Sequence, residues 1–235
     1  MTRSVLPHAN RELVLGIDEA GRGPGLGPMV LAAVALDGAA AEFLAQAGVR
    51  DSKRFGASAA AQRTRKRLAA VVRKRAIWVS VEICEVHEID AYVTRGALNQ
   101  LERERARHLI TKAPACTRIV ADGRTLFSPL AAEFAHLEAC DRAESLHTAV
   151  AAASICAKAE RDRLFAAIAA QYAGDFGPLR GGGYVNPPTC EFVAEFFRRH
   201  GHLPPEARKS WPWRQLDAQQ SLDLPTTALR RPRVS

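Results

Sequence analysis

Three acidic residues stand where an α/β sheet carries its chemistry. Asp18 and Glu19 end the apolar run that starts at Leu13 and lead into glycines; Asp122 closes the run TRIVAD in the same manner. Carboxylates at strand ends share one edge of such a sheet, where the connecting loops leave an accessible crevice. Hard oxygen ligands drawn from several elements suit Mg²⁺ or Mn²⁺. Two such ions about 4 Å apart activate a water and stabilise the leaving oxygen in phosphodiester hydrolysis. Neighbouring strand residues point to opposite faces, so Asp18 and Glu19 share a site only if the strand ends or distorts there, which Gly21 and Gly23 permit. Spacing alone weighs this equally against surface loop acids that cap helices.

The glycine-rich stretch GRGPGLGP (21–28) is the second constellation. Counted from Gly21 and Gly23, the third glycine of a dinucleotide fingerprint falls on Leu26; Pro24 and Pro28 interrupt, and no G-K-[ST] follows. The stretch suits close backbone approach to a ligand, with Arg22 available for phosphate. A tight hairpin connection without a ligand is the alternative.

These residues need a frame. Leu13–Asp18, Met29–Leu36, Ile77–Val86, Thr117–Asp122 and Phe134–Cys140 read as strands, with Asp37-Gly38 as a turn after the second. Residues 57–75, 88–112, 149–170 and 191–200 read as helices. That order implies an α/β domain with a mixed sheet. The 235 residues allow one large domain with an appendage. The expected division is 11–175 for the catalytic domain, 176–215 for a helical C-terminal segment completing a substrate cleft, and 216–235 for a mobile basic tail. The charge of +8, from 33 Lys+Arg against 25 Asp+Glu, makes a polyanionic partner plausible and says nothing of fold. The longest apolar run, Met29–Leu36, is far short of the roughly 20 residues a membrane helix needs. Five cysteines without a C-x-x-C pair, and no apolar leader in MTRSVLPHANRELV, predict a reduced cytoplasmic protein. A monomer is expected. The cations at 63–67 and 73–75 read first as a solvated helix face, with a duplex-binding face as the alternative. Trp211 and Trp213 read as anchors for the C-terminal segment.

Longer motifs carry a resemblance. GIDEAGRGPGLGPMV (16–30) resembles the signature of type 2 ribonuclease H, ribonuclease HII. Asp51-Ser52-Lys53 is similar to that family's D-S-K motif, EID…LNQLE (88–102) to its helix with an Asn, and VADG (120–123) to its third-acid strand. AAASICAKAERD (151–162) is similar to the S-A-A-S-I-x-A-K-x-x-R-D helix. GGGYVNPPT (181–189) and ARKSW (207–211) resemble the G-S-G-Y-P-S-D-P and R-R-S-W ending of archaeal and eukaryotic-type members. The resemblance runs in order over roughly residues 13–211.

It implies a ribonuclease H-like fold, a mixed five-stranded sheet flanked by helices with a helical C-terminal part. The implied activity is a metal-dependent endonuclease that uses two Mg²⁺ or Mn²⁺ ions. Its substrates would be the RNA strand of RNA–DNA hybrids and duplex DNA containing ribonucleotides, cut 5′ of the ribonucleotide to leave 3′-hydroxyl and 5′-phosphate ends. Asp18, Glu19 and Asp122 would be metal ligands and catalytic residues. Gly21, Arg22 and Gly23 would meet the ribose 2′-hydroxyl, and Tyr184 would stack on the sugar 3′ of the cut. Ser52, Lys53, Asn99, Lys158 and Arg208 would contact substrate, mainly its phosphates. The fourth acid departs from the pattern: ten residues before Ser154 stands Glu144, where the family has Asp. Glu144 is the expected ligand and Asp141 its rival. Val185 replaces the proline after the tyrosine, which implies a freer loop there, and Ala151 replaces a serine. These departures leave a second reading, a catalytically weak or silent hybrid-binding protein of the same fold.

Overall fold

The computed structural model describes residues 12–49, 56 and 58–213. The chain divides into two compact units. Among the described residues, one takes in those up to Ala20 together with 30–83 and 102–160; the other comprises Gly21–Met29, Cys84–Leu101 and those from Arg161 onward.

Among the described residues, five strands form one sheet in the order β3-β2-β1-β4-β5. They are β1 (Val14–Ala20), β2 (Met29–Leu36), β3 (Trp78–Cys84), β4 (Arg118–Asp122) and β5 (Leu137–Cys140). β1 pairs antiparallel with β2, from Val14↔Leu36 to Ala20↔Val30, and parallel with β4. β4 and β5 are also parallel. All eight residues of β2 are buried, as its unbroken apolar run requires of a strand covered on both faces. The mixed sheet flanked by helices matches the fold expected from the sequence.

Helix boundaries follow local chemistry. Asp37-Gly38, read as a turn, instead starts helix α1 (Gly38–Gln46): the Asp37 carboxylate accepts from the Ala40 N–H and caps it. Asp-Gly serves both structures, because a side chain that closes a turn can equally satisfy the first orphan amides of a helix. Ser58 caps α2 (Ala59–Arg75) similarly. The segment 88–112 resolves into α3 (Val86–Val93) and α4 (Leu98–Lys112). From α4, Arg105, His108 and Lys112 surround Glu82 of β3. The short α5 (Arg124–Phe127) and α6 (Ala143–Leu146) precede α7 (Thr148–Phe176), whose residues Ala149–Ala157 are all buried.

The second unit has its own core. Leu26, Phe165, Ile168, Tyr172, Phe192, Val193, Phe196, Ala207 and Trp213 pack together. Helix α8 (Pro187–His200) contributes three of them; Asn186 caps its start and Gly201, at φ +74°, ends it. Tyr172 lies 4.9 Å from Phe192 and 5.7 Å from Phe196 between ring centroids. Its hydroxyl donates to Glu206 at 2.6 Å. Trp213 belongs to this core and donates from Nε1 to the Arg208 carbonyl, while Trp211 donates to the Gly23 carbonyl. Both tryptophans anchor the C-terminal segment as expected. The basic tail, Ser52 and Lys53 lie outside the described residues.

Candidate active site

The acids converge because of strand register. The β1–β4 pairing ends at Ile17↔Ala121, and the next residues on these parallel strands are Asp18 and Asp122. Beyond β5 the chain turns at Arg142, which takes a left-handed conformation (φ 60°, ψ 32°) and starts α6 with Glu144 in its first turn. One ligand oxygen each of Asp18, Asp122 and Glu144 lies within 4.8 Å of the others. Asp122 is steadied by the Ala143 N–H, which donates to Oδ1 at 2.9 Å. Asp141, the rival to Glu144, is exposed and accepts from the Arg124 N–H at 2.8 Å, outside this group.

β1 runs on in register to Ala20, and Glu19 is not one of the three acids whose ligand oxygens lie within 4.8 Å of one another, although its charge acts on Asp18. Its backbone N–H donates to Asp18 Oδ1 at 2.8 Å. Burial, followed by the charge of Glu19, pushes the Asp18 carboxyl well above the ordinary range, while the hydrogen bond to Ser154 and the charge of Lys158 oppose that shift. Asp18 and Glu144 are each only 4% exposed. Three carboxylates held this close repel one another, and a hard divalent cation relieves that repulsion; the donor set therefore fits Mg²⁺ or Mn²⁺. Lys158 donates to Ser154 Oγ at 3.0 Å, and Ser154 Oγ lies 3.4 Å from Glu144 Oε2. Ser154 was not singled out from the sequence, although it stands in the motif with Lys158; its position linking a lysine to the acids appears only in three dimensions.

The other unit holds the glycine loop and most of the remaining sequence-predicted residues. Gly21 has φ +87°, a conformation that glycine adopts without strain. Arg22 donates to Asn99 Oδ1 at 2.7 Å, so two expected substrate contacts meet directly. Tyr184 is 56% exposed, and a Cβ added at Gly23 would lie 3.3 Å from its ring, so the phenol stands beside the loop. Val185, 39% exposed, stands in a hydrogen-bonded turn. Tyr184 and Asn186 are tied by Tyr184 N–H to the Gly181 carbonyl, Asn186 N–H to the Tyr184 carbonyl and the Asn186 amide to Gly181. Arg208 departs from its expected role as an exposed phosphate contact. It is fully buried, and its guanidinium donates to the carbonyls of Gly21, Arg22 and Gly27. Arg161, also missed from the sequence, donates to Leu26 and Gly182 carbonyls.

Asp18 and Asp122 on neighbouring parallel strands with Glu144 of α6 clustered beside them, on a mixed five-stranded sheet flanked by helices, define a ribonuclease H-like nuclease. Residues 15–213 match the sequence profile of ribonuclease HII. A ribonuclease HII of Pyrobaculum neutrophilum is 41% identical over 209 residues, which cover 86% of this chain and 94% of that protein. The crystal structure of ribonuclease H2 from Pyrococcus horikoshii superposes with a TM-score of 0.76 at 27% identity, covering 88% of this chain and 98% of the other. The ribonuclease HII of Archaeoglobus fulgidus, solved in complex with PCNA, gives 0.72 at 28%, covering 90% and 98%. The chain belongs to the ribonuclease HII family of endonucleases.

Proposed function

We propose that this endonuclease hydrolyses the RNA strand of RNA–DNA hybrids and nicks duplex DNA 5′ of embedded ribonucleotides, leaving 3′-hydroxyl and 5′-phosphate ends. The observation that carries the reading is the convergence of Asp18, Asp122 and Glu144 within 4.8 Å in a chain of this family. These three residues, with Glu19 beside them, would hold two Mg²⁺ or Mn²⁺ ions, which when bound supply an activated water and stabilise the leaving 3′ oxygen. The chain's own part is geometric and electrostatic. Ser154 and Lys158 orient Glu144 and Asp18 and temper their repulsion. The Gly21–Gly23 backbone offers amides to the 2′-hydroxyl, the group that separates RNA from DNA. Tyr184 stacks on the following sugar, and Arg22 with Asn99 meets a phosphate. Ser52 and Lys53 would add phosphate contacts.

The test is cleavage of a duplex carrying one ribonucleotide, beside a long hybrid and an all-DNA control, in Mg²⁺ and in Mn²⁺. Nicking 5′ of the ribonucleotide is expected, with Asp122→Asn inactive and the DNA control intact. A folded preparation that leaves both ribonucleotide substrates uncut with either ion overturns the reading; salt-sensitive hybrid binding without turnover would identify a silent binder instead.

A further inference from the structure

Two arginines lie under the glycine loop, and among the described residues neither guanidinium donates to a carboxylate. Arg208 is fully buried and spends its donors on main chain: Nε on Gly27 O at 3.0 Å, Nη1 on Arg22 O at 2.9 Å and Nη2 on Gly21 O at 2.6 Å. Its face lies 4.7 Å from the Trp211 ring, whose Nε1 takes the Gly23 carbonyl. Arg161, 6% exposed, gives Nη2 to Leu26 O at 2.6 Å, while its Nε and Nη1 are buried without a hydrogen-bond partner among the described residues. Burial lowers both groups, Arg208 to about 9 and Arg161 to about 10, and for Arg208 the neighbouring Arg161 charge adds to the shift. Burying two like charges side by side is costly. It secures one thing: every carbonyl from Gly21 to Gly23 faces inward.

A trans peptide points its carbonyl and the following N–H in opposite directions. Pinning the Gly21 and Arg22 carbonyls to Arg208 therefore turns the Arg22 and Gly23 N–H groups the other way, consecutive and parallel, as in backbone nests that bind anions and polar oxygens. Gly23 N–H has no partner among the described residues. Pro24 follows, so no further amide competes. A Cβ at Gly21 would meet Arg161 Nε at 2.7 Å, so the loop also lies flush on this second guanidinium.

We propose that Arg208 and Arg161 are positioning residues for ribose recognition: they fix the amides of Arg22 and Gly23 toward the 2′-hydroxyl, rather than touching phosphate themselves. The inference rests on the proposed function and deepens it. Arg208→Met keeps most of the apolar stem and removes the fork; Arg208→Lys keeps charge but can hold fewer carbonyls.

The assay compares metal-free affinity for a duplex with one ribonucleotide against the same all-DNA duplex, then kcat and KM in Mn²⁺, with Mn²⁺ binding as the control for the acid cluster. Arg208→Met should bring the two affinities within about threefold of each other and lower kcat/KM about 100-fold, with Mn²⁺ affinity unchanged and Arg208→Lys intermediate. A phosphate contact would instead weaken both duplexes equally. Uniform weakening, or a folded Arg208→Met with the wild-type preference, overturns the proposal. If Arg208→Met fails to fold, Arg208→Lys and Arg161→Met decide: each should lose about 10-fold in preference, and a wild-type preference in both overturns it. Wild-type protein that neither prefers nor cuts the ribonucleotide substrate would instead refute the underlying reading.

Discussion

Gly16 offers a sharp test of how the fold sets the acid geometry. It sits in the middle of β1, opposite Val34 on one side and Val120 on the other. A Cβ built there meets the main chain of α7: Ala149 C at 2.1 Å, Val150 N at 2.3 Å and Ala149 O at 2.4 Å. Ordinary contact begins at 3.4 Å, so Gly16→Ala must drive the first turn of α7 back by about 1.3 Å. That turn cannot yield cheaply, since Ala149–Ala157 are all buried and the obstruction is backbone, not a flexible side chain. Overpacking of this kind costs about 1–3 kcal/mol, and the upper end is expected here. The same displacement carries Ser154 and Lys158 away from Asp18 and Glu144. A misplacement near 1 Å costs about 100-fold in rate.

The measurements are a thermal melt and single-turnover cleavage in Mg²⁺ at a temperature where the variant is folded. Gly174→Ala, in the same helix with nothing within 4 Å of its Cβ, is the paired control. It should stabilise by about 0.5–1 kcal/mol through helix propensity. Gly16→Ala with an unchanged melting temperature and a rate within threefold of wild type would refute the argument from close packing.

Four other outcomes are expected. Because burial and Glu19 raise the folded-state pKa of Asp18, metal-free stability from this group is fully present below the unfolded carboxyl pKa and is lost as pH rises through the folded one. Asp18→Asn should therefore raise the metal-free melting temperature at neutral pH more than at pH 4; an increase independent of pH would count against this origin. Metal at 100 times its Kd should stabilise wild type by about 2.7 kcal/mol for each ion bound, and Asp18→Asn much less, as read by melts with and without Mn²⁺. Glu144→Gln should lose most activity and Mn²⁺ affinity while Asp141→Asn keeps both, and the reverse result would transfer the role. Phe196→Ala, in the aromatic cluster of the second unit, should cost about 3–5 kcal/mol in chemical denaturation.

The strands were legible because their signal is local. Met29–Leu36 is one apolar run bounded by turn residues, and the structure gives it those limits. Asp122 was legible for the same reason, as the last residue of its strand, whereas Asp18 follows only the end of the pairing with β4, since β1 runs on to Ala20. Helix α1 was not legible, because Asp37-Gly38 is chemically fit for a turn and for a helix start, and the choice depends on Ala40 and Leu44 finding a buried surface. The choice between Glu144 and Asp141 was open for a further reason. It turns on one backbone conformation at Arg142, which nothing in its side chain announces, and αL costs a non-glycine roughly 1–2 kcal/mol. Only the surrounding contacts, including Asp122 accepting from Ala143 N–H, fix it.

The basic residues show where sequence reasoning meets its physical limit. A surplus of positive charge invites the inference that each cation near a motif faces the polyanion. Arg63, Lys66, Arg67 and Lys74 of α2 are indeed exposed. Arg208 and Arg161, in the motifs most suggestive of phosphate contact, are among the best buried, and among the described residues their hydrogen-bond acceptors are all carbonyls. A guanidinium is the one cationic side chain whose planar fork can satisfy several carbonyls at once, so an arginine beside a glycine-rich loop is as well suited to shape that loop as to bind through it. Charge alone cannot separate these roles. The direction of the loop carbonyls can, and in this chain they point at the arginines.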